Sequence, residues 1–272
     1  MATPHPIGRS GYLLDNADAI AAHRMRALAR LYDPASRRAL TSAGIAPGWH
    51  CLEVGGGGGG VARWMAEQVG PTGSVLCTDI DPRHIAPSGM ANLHVVRHDA
   101  VRDVFPERQF DLAHARLVLL HIPERAAVLE KMVAALKPGG WLVIEDFDTA
   151  SVLPEVAVNP KEARVETADA LRSYMIRGGV DGRFGRSLYG RFKALGLVDV
   201  SAEGRVMMWD GANGGADLMR INFEQIGEKV VAAGLLSAEQ LKADLKRLDE
   251  PGFVTPSPVM WAAIGRKPSQ GS

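Results

Sequence analysis

Residues 51–60 read Cys51-Leu52-Glu53-Val54-Gly55-Gly56-Gly57-Gly58-Gly59-Gly60. A short apolar run ends on a carboxylate, six glycines follow, and an amphipathic segment comes next with Val61, Trp64, Met65 and Val69 on one side. This is the order strand, loop, helix. Each glycine costs about 0.5–1 kcal/mol of chain entropy relative to alanine. A run of them is retained where the backbone must turn sharply and a ligand must approach it closely. At a strand-to-helix turn that ligand is anionic or nucleotide-like.

The same alternation continues outward. Strands are expected at His50–Val54, Ser74–Thr78, Leu93–Arg97, Phe110–Ala115 and Trp141–Asp146, with helices at about 60–69 and 124–136. Gly70-Pro71-Thr72-Gly73 and Lys137-Pro138-Gly139-Gly140 are strong stops. Strands alternating with helices predict βαβ units and a parallel sheet with its ligand edge at the strand C-termini. Upstream, Ala21, Met25, Leu28 and Tyr32 line one face of a helix over 17–32, with Asn16 as its cap. Asp33-Pro34 reads as the start of a second, short helix. Downstream, helices are expected near 161–175, 188–195, 216–233 and 237–248, with strands at about 198–208 and 260–265. These later helices form either a cap over the ligand edge or a homodimer surface.

Composition narrows the class. The 272 residues carry 31 basic and 31 acidic side chains, so no net field draws the chain to nucleic acid or to an acidic membrane. No apolar run approaches the length of a membrane span, and the first residues have no signal core. The expected location is the cytoplasm, with neither nucleic-acid nor membrane partners. Cys51 and Cys77 read as small core residues rather than as a disulfide or metal pair.

The glycine run satisfies both the dinucleotide pattern and the pattern E-x-G-x-G-x-G, so its flanks decide. A carboxylate such as Glu53 near the end of a buried strand needs compensation, from a ligand ammonium or from backbone amides. Asp79, just past the second strand, stands where a carboxylate accepts from ribose hydroxyls. Asp99, after the third, would accept from an adenine amino group.

Five stretches in order then carry a resemblance: Leu-Glu-Val followed by glycines at 52–60, Thr-Asp-Ile-Asp at 78–81, His-Asp-Ala at 98–100, Phe-Asp-Leu-Ala-His-Ala-Arg at 110–116, and Leu-Lys-Pro-Gly-Gly-Trp-Leu-Val-Ile-Glu-Asp at 136–146. Over about residues 45–148 the chain resembles class I S-adenosylmethionine-dependent methyltransferases of the small-molecule type. The resemblance implies a Rossmann-like, seven-stranded, mostly parallel α/β sheet flanked by helices. It implies an N-terminal helical lid at 1–44, a cofactor-binding core at 45–148, and the rest of the sheet with an inserted helical cap at 149–272. The strands near 198–208 and 260–265 would be its antiparallel sixth–seventh pair. S-adenosylmethionine is the implied cofactor and a small organic molecule the implied partner, methylated on oxygen, with carbon and nitrogen open, in secondary metabolism.

By position, Gly55 and Gly57 would line the methionine part of the cofactor, with Glu53 setting the loop. Asp79 would hold the ribose and Ile80 would pack on adenine. Asp99 and Ala100 would meet the adenine edge. The backbone at Arg116 would accept from the ammonium, and Tyr12 and Arg24 would reach the carboxylate. The family usually has a side chain between its glycines, where residue 56 here is Gly. His121 is the candidate base, or else a cap for the helix after it. His114, inside a strand, reads as structural. Of the adjacent Glu145 and Asp146, alternation sends at most one toward the pocket, and Asp146 is the candidate to orient substrate or act as a base. No metal site is expected. Two other readings stay open: the same fold binding S-adenosylmethionine without methyl transfer, and a nicotinamide-dependent oxidoreductase.

Overall fold

The computed structural model describes residues 13–14, 19–151 and 165–269. Nine strands are described: β1 His50–Val54, β2 Ser74–Asp79, β3 Leu93–Arg97, β4 Phe110–Arg116, β5 Leu136–Asp148, β6 Val198–Arg205, β7 Met208–Asp210, β8 Val254–Pro256 and β9 Val259–Arg266. The helices are α1 Ala21–Ser42, α2 Gly60–Val69, α3 Arg125–Ala135, α4 Glu166–Arg177, α5 Phe184–Ala194, α6 Gly215–Ala232 and α7 Ala238–Arg247. Seven strands make one sheet in the order β3-β2-β1-β4-β5-β9-β6. β1 to β5 pair in parallel, and β9 runs antiparallel to both of its neighbours. This is the Rossmann-like sheet expected, including the late antiparallel insertion.

Both faces of the central strands are buried, which is why most of their side chains are apolar. Alternate residues of β1 serve opposite layers. Cys51 joins Val61, Ala62, Met65 and Val69 of α2. Leu52 and Val54 join Val128, Leu129 and Met132 of α3 and Phe184, Leu188 and Phe192 of α5. Both cysteines are free and fully buried, and burial pushes their thiols up. No helix among the described residues is long and apolar enough to cross a membrane.

Three expectations need correction. The N-terminal helix does not stop at Asp33-Pro34. α1 runs through Pro34 to Ser42. A proline inside a helix removes one ladder bond and normally kinks or ends it. Here the flanking residues are held from outside: Arg116 of β4 donates to Asp33 Oδ1 at 2.8 Å and to Ser36 Oγ at 2.7 Å. Tyr32 packs edge-on against Phe147. Second, β5 begins at Leu136, not at Trp141, because the Pro-Gly-Gly stretch lies inside the ladder. Gly139 N–H donates to Lys267 O, and Lys267 N–H donates to Gly140 O. Third, the segment over 198–208 is two strands. It breaks at Val206-Met207, where Met207 N–H donates to Ser257 Oγ at 3.0 Å, and β7 pairs with β8 in a separate small sheet.

The late helices do not stand apart from the N-terminus. Tyr32 of α1, Val165, Trp209 of β7, and Leu218, Met219 and Phe223 of α6 share one apolar cluster. α7 closes it from behind. Asp244 accepts from Thr167 N–H at 2.8 Å and from Thr167 Oγ1 at 2.7 Å, which caps the first turn of α4. α1, α4 and α6 thus form a layer over the C-terminal ends of the strands, and α7 packs on α4 and α6.

Candidate active site

A cleft opens between that layer and the strand ends. Glu53, Gly55, Gly57, Asp79, Ile80, Asp99, Ala100, Arg116, Arg24 and His121 all line it. The sequence therefore anticipated residues that the fold does bring together. Tyr12 lies outside the described residues.

The glycine loop is pinned on two sides. Gly55 and Gly56 N–H both donate to Thr78 O, at 2.8 and 3.0 Å. Gly55 has φ +73°, and a Cβ built there would stand 2.2 Å from Val118 Cγ2. The glycine at 56 also has a packing reason: a Cβ there would meet Cys77 Sγ at 2.3 Å. Asp79 completes the loop. Its Oδ2 accepts from Gly57 N–H at 2.9 Å and its Oδ1 from Asp81 N–H at 2.8 Å. Burial raises the Asp79 carboxyl above its ordinary pKa, against the two amides that lower it. At the end of β3, Asp99 Oδ1 accepts from Val101 N–H at 2.9 Å. Ile80 is exposed at the cleft mouth.

Glu53 is compensated in a way the sequence did not announce. The expected partner was a ligand ammonium or a set of amides. Instead His114 Nδ1 lies 2.5 Å from Glu53 Oε2, and His114 Nε2 lies 3.2 Å from Glu145 Oε2. All three are buried. Burial opposes a charge on the imidazole, but two flanking carboxylates outweigh it and raise His114 to about 9. Each ring nitrogen thus faces one carboxylate oxygen. The available signal was register: β1 and β4 are neighbouring parallel strands, and Glu53 pairs directly with His114. Two polar residues at one level of a buried sheet read as a pair once the alignment is known. His114 is buried inside the sheet and does not line the cleft.

The chain turns abruptly after β4. Leu117 has φ +55°, a conformation rare outside glycine, and its N–H donates to Glu145 O. This bend carries Val118 toward Gly55 and His121 into the cleft. Burial first, then the charges of Arg24 and Arg125, lower His121 to about 3, so its imidazole is neutral. Arg24 is buried and donates to Leu14 O at 3.3 Å.

Asp146 requires a correction. It is fully buried, does not line the cleft, and Oδ2 accepts from Leu120 N–H at 3.1 Å. Burial drives its pKa well above the ordinary carboxylate range. Asp146 braces the turn that presents His121 and does not face an acceptor. Neither carboxylate of the pair lines the cleft: Glu145 turns to His114.

A family described as methyltransferase domain matches residues 19–202. The ubiquinone/menaquinone biosynthesis C-methyltransferase UbiE of Cupriavidus necator is 33% identical over 114 residues, covering 40% of this chain and 47% of that protein. Methyltransferase str2 of Strobilurus tenacellus is 33% identical over 141 residues, covering 50% of this chain and 49% of that protein. The chain thus spans about half the length of these curated relatives. Among solved structures, a phosphoethanolamine N-methyltransferase 2 of Haemonchus contortus, in complex with phosphomonomethylethanolamine and S-adenosylhomocysteine, superposes with TM-score 0.59 at 15% identity, covering 98% of this chain and 62% of that one. A putative methyltransferase of Bacillus halodurans superposes with TM-score 0.57 at 18% identity, covering 86% of this chain and 98% of that one. At such identities these two likenesses establish the fold. With the family match spanning more than half of its residues, this chain belongs to the methyltransferase-domain family.

Proposed function

We propose that this protein transfers a methyl group from S-adenosylmethionine to an oxygen of a small organic acceptor, in secondary metabolism. The observation that carries the reading is the treatment of the loop by Asp79, which holds Gly57 N–H while itself lining the cleft at the end of β2. A carboxylate there suits vicinal ribose hydroxyls, and the side-chain-free loop leaves room for the methionine part. Ile80 offers an apolar surface for adenine, with Asp99 and Ala100 at its edge. Arg24 is the group for the cofactor carboxylate, and the backbone at Arg116 for its ammonium.

The cofactor supplies an electrophilic methyl group on a sulfonium. The protein's part is to align the acceptor with it and to exclude water. Phe147, Leu171, Trp209, Met219 and Phe223 give the cap side of the cleft an apolar wall suited to an organic acceptor. His121 is neutral and accepts the acceptor's proton. A base held near 3 is weak. It takes a proton readily only from an oxygen already bonded to the methyl group, so proton transfer is late. The acceptor oxygen would take the methyl group as the S–CH3 bond breaks and the sulfur leaves as a neutral thioether, and the hydroxyl proton would go to a His121 ring nitrogen as the new C–O bond completes.

The test is transfer of labelled methyl from S-adenosylmethionine to a panel of phenols, aliphatic alcohols, enols and amines. Methylated phenol or alcohol is expected, with His121→Asn lowering kcat by about tenfold or more. Methylation of carbon or nitrogen acceptors alone would overturn the oxygen assignment. A second reading is cofactor binding without transfer. It is favoured by Asp146 facing away from the cleft and by the weakened basicity of His121, and bound cofactor with no product across the panel would select it.

A further inference from the structure

The cap wall of the cleft holds one residue that packing does not explain. Leu218, Met219, Asn222 and Phe223 share one face of α6, and all four line the cleft. Leu218, Met219 and Phe223 belong to the apolar cluster that includes Trp209. Asn222 stands among them with its Oδ1 buried and, among the described residues, without a hydrogen bond. A buried carbonyl oxygen with no donor destabilises a fold. Leucine, of nearly the same size and a better helix former, would avoid that cost. Departures of this kind gather at functional sites. The place of Asn222 says which part of the site is concerned. α6 packs on α1, α4, α7 and β7, whereas the groups read as holding the adenosine of the cofactor end β2 or follow β2 and β3. Asn222 is therefore on the wall that the acceptor meets.

We infer that Asn222 determines acceptor specificity by hydrogen-bonding a hydroxyl of the acceptor other than the one methylated. The inference rests on the function proposed above and deepens it: the small organic acceptor has an apolar body and a second hydroxyl. Leu171, Met219 and Phe223 line the same wall and meet the body. The second group is a hydroxyl because a hydroxyl both donates and accepts. It satisfies the amide oxygen as it stands, and would satisfy the amide nitrogen after a half-turn of the same group. A carbonyl or an ether has no hydrogen to give to Oδ1. An acceptor with a single hydroxyl leaves the amide unpaired in the complex, and that cost is the source of discrimination. His121 serves the methylated oxygen and Asn222 a second one, so the two act on different atoms.

The experiment is labelled methyl transfer to the two naphthols and to the isomeric dihydroxynaphthalenes, by the unsubstituted protein and by Asn222→Leu. The unsubstituted protein should favour at least one diol over its naphthol by about tenfold in kcat/KM, the scale of one hydrogen bond to a buried group. That exceeds the twofold that a second equivalent hydroxyl gives by counting. In Asn222→Leu the ratio should fall to about twofold, through KM rather than kcat, because the bond is remote from the reacting oxygen. No preference for any diol overturns the inference. So does a preference that Asn222→Leu keeps while both rates fall, which is the mark of a merely structural residue. Where no naphthalene turns over, thermal unfolding without an acceptor decides. Asn222→Leu should raise Tm by about 2–4 °C, because an unpaired buried oxygen has gone, and an unchanged or lower Tm overturns the inference. Failure of the folded, unsubstituted protein to bind S-adenosylhomocysteine would instead overturn the proposed function.

Discussion

Replacing Gly55 with alanine separates two costs that the glycine loop avoids. The backbone there has φ +73°, which costs an L-residue about 1–2 kcal/mol. The new Cβ would also stand 2.2 Å from Val118 Cγ2, and overpacking of this kind costs about 1–3 kcal/mol. The sum is about 2–5 kcal/mol, a large part of an ordinary domain's stability. Gly57 supplies the control. Its φ is +56°, but a Cβ would reach nothing closer than Gly55 O at 4.0 Å, so Gly57→Ala should cost only the backbone part, about 1–2 kcal/mol. Val118→Ala removes the colliding methyl. In the Gly55→Ala background it should recover the packing share and leave the backbone share. Urea unfolding midpoints at constant m measure all four proteins. If Gly55→Ala costs no more than Gly57→Ala, or if Val118→Ala gives no relief, close approach of the β4 turn is not what requires glycine at 55.

Three further outcomes follow from the same contacts. His121 stands at about 3 against an ordinary 6.5, so the unfolded chain binds a proton that the folded chain does not. Stability should fall as pH drops from 6.5 toward about 5, at up to about 1.4 kcal/mol per pH unit. His114 is the opposite case, raised to about 9. Its contribution is complete below 6.5 and is lost as pH rises through 9. Denaturant titrations across this range should show His121→Asn flattening the acid limb only, and an unchanged acid limb would contradict the assignment. Arg116→Met should cost about 2–4 kcal/mol by stranding Asp33, and Asp33→Asn in the same protein should restore part of it; additive losses would show that the two do not act as a pair. Asp244→Ala should cost about 1–3 kcal/mol and loosen α4 in hydrogen exchange, whereas unchanged protection of the first turn of α4 would argue against the cap.

The elements nearest the glycine run were the most legible. β1, α2 and β3 have the bounds that their apolar runs and their Gly and Pro stops indicate. Asp79 ends β2, Ile80 follows it, and Asp99 and Ala100 follow β3, so their convergence needs only the parallel sheet. What escaped the sequence depends on contacts distant along the chain. α1 passes through Pro34 because Arg116, 83 positions from Asp33, holds it there. β5 begins early because its Pro-Gly-Gly segment exchanges hydrogen bonds with Lys267. The partner of Glu53 is 61 positions away and is set by strand register. Asp146 shows the limit of alternation: period two separates it from Glu145, but cannot say that the face it enters is filled by the Leu119–His121 turn.

The most direct measurement is calorimetric titration with S-adenosylhomocysteine, for the unsubstituted protein and for Asp79→Ala. Saturable binding that the substitution abolishes, in a protein still folded by circular dichroism, is the expected result. It would fix both the cofactor and its place at the end of β2. No binding by the folded, unsubstituted protein, or binding that Asp79→Ala leaves intact, would contradict the reading of this cleft as a methyl-donor site.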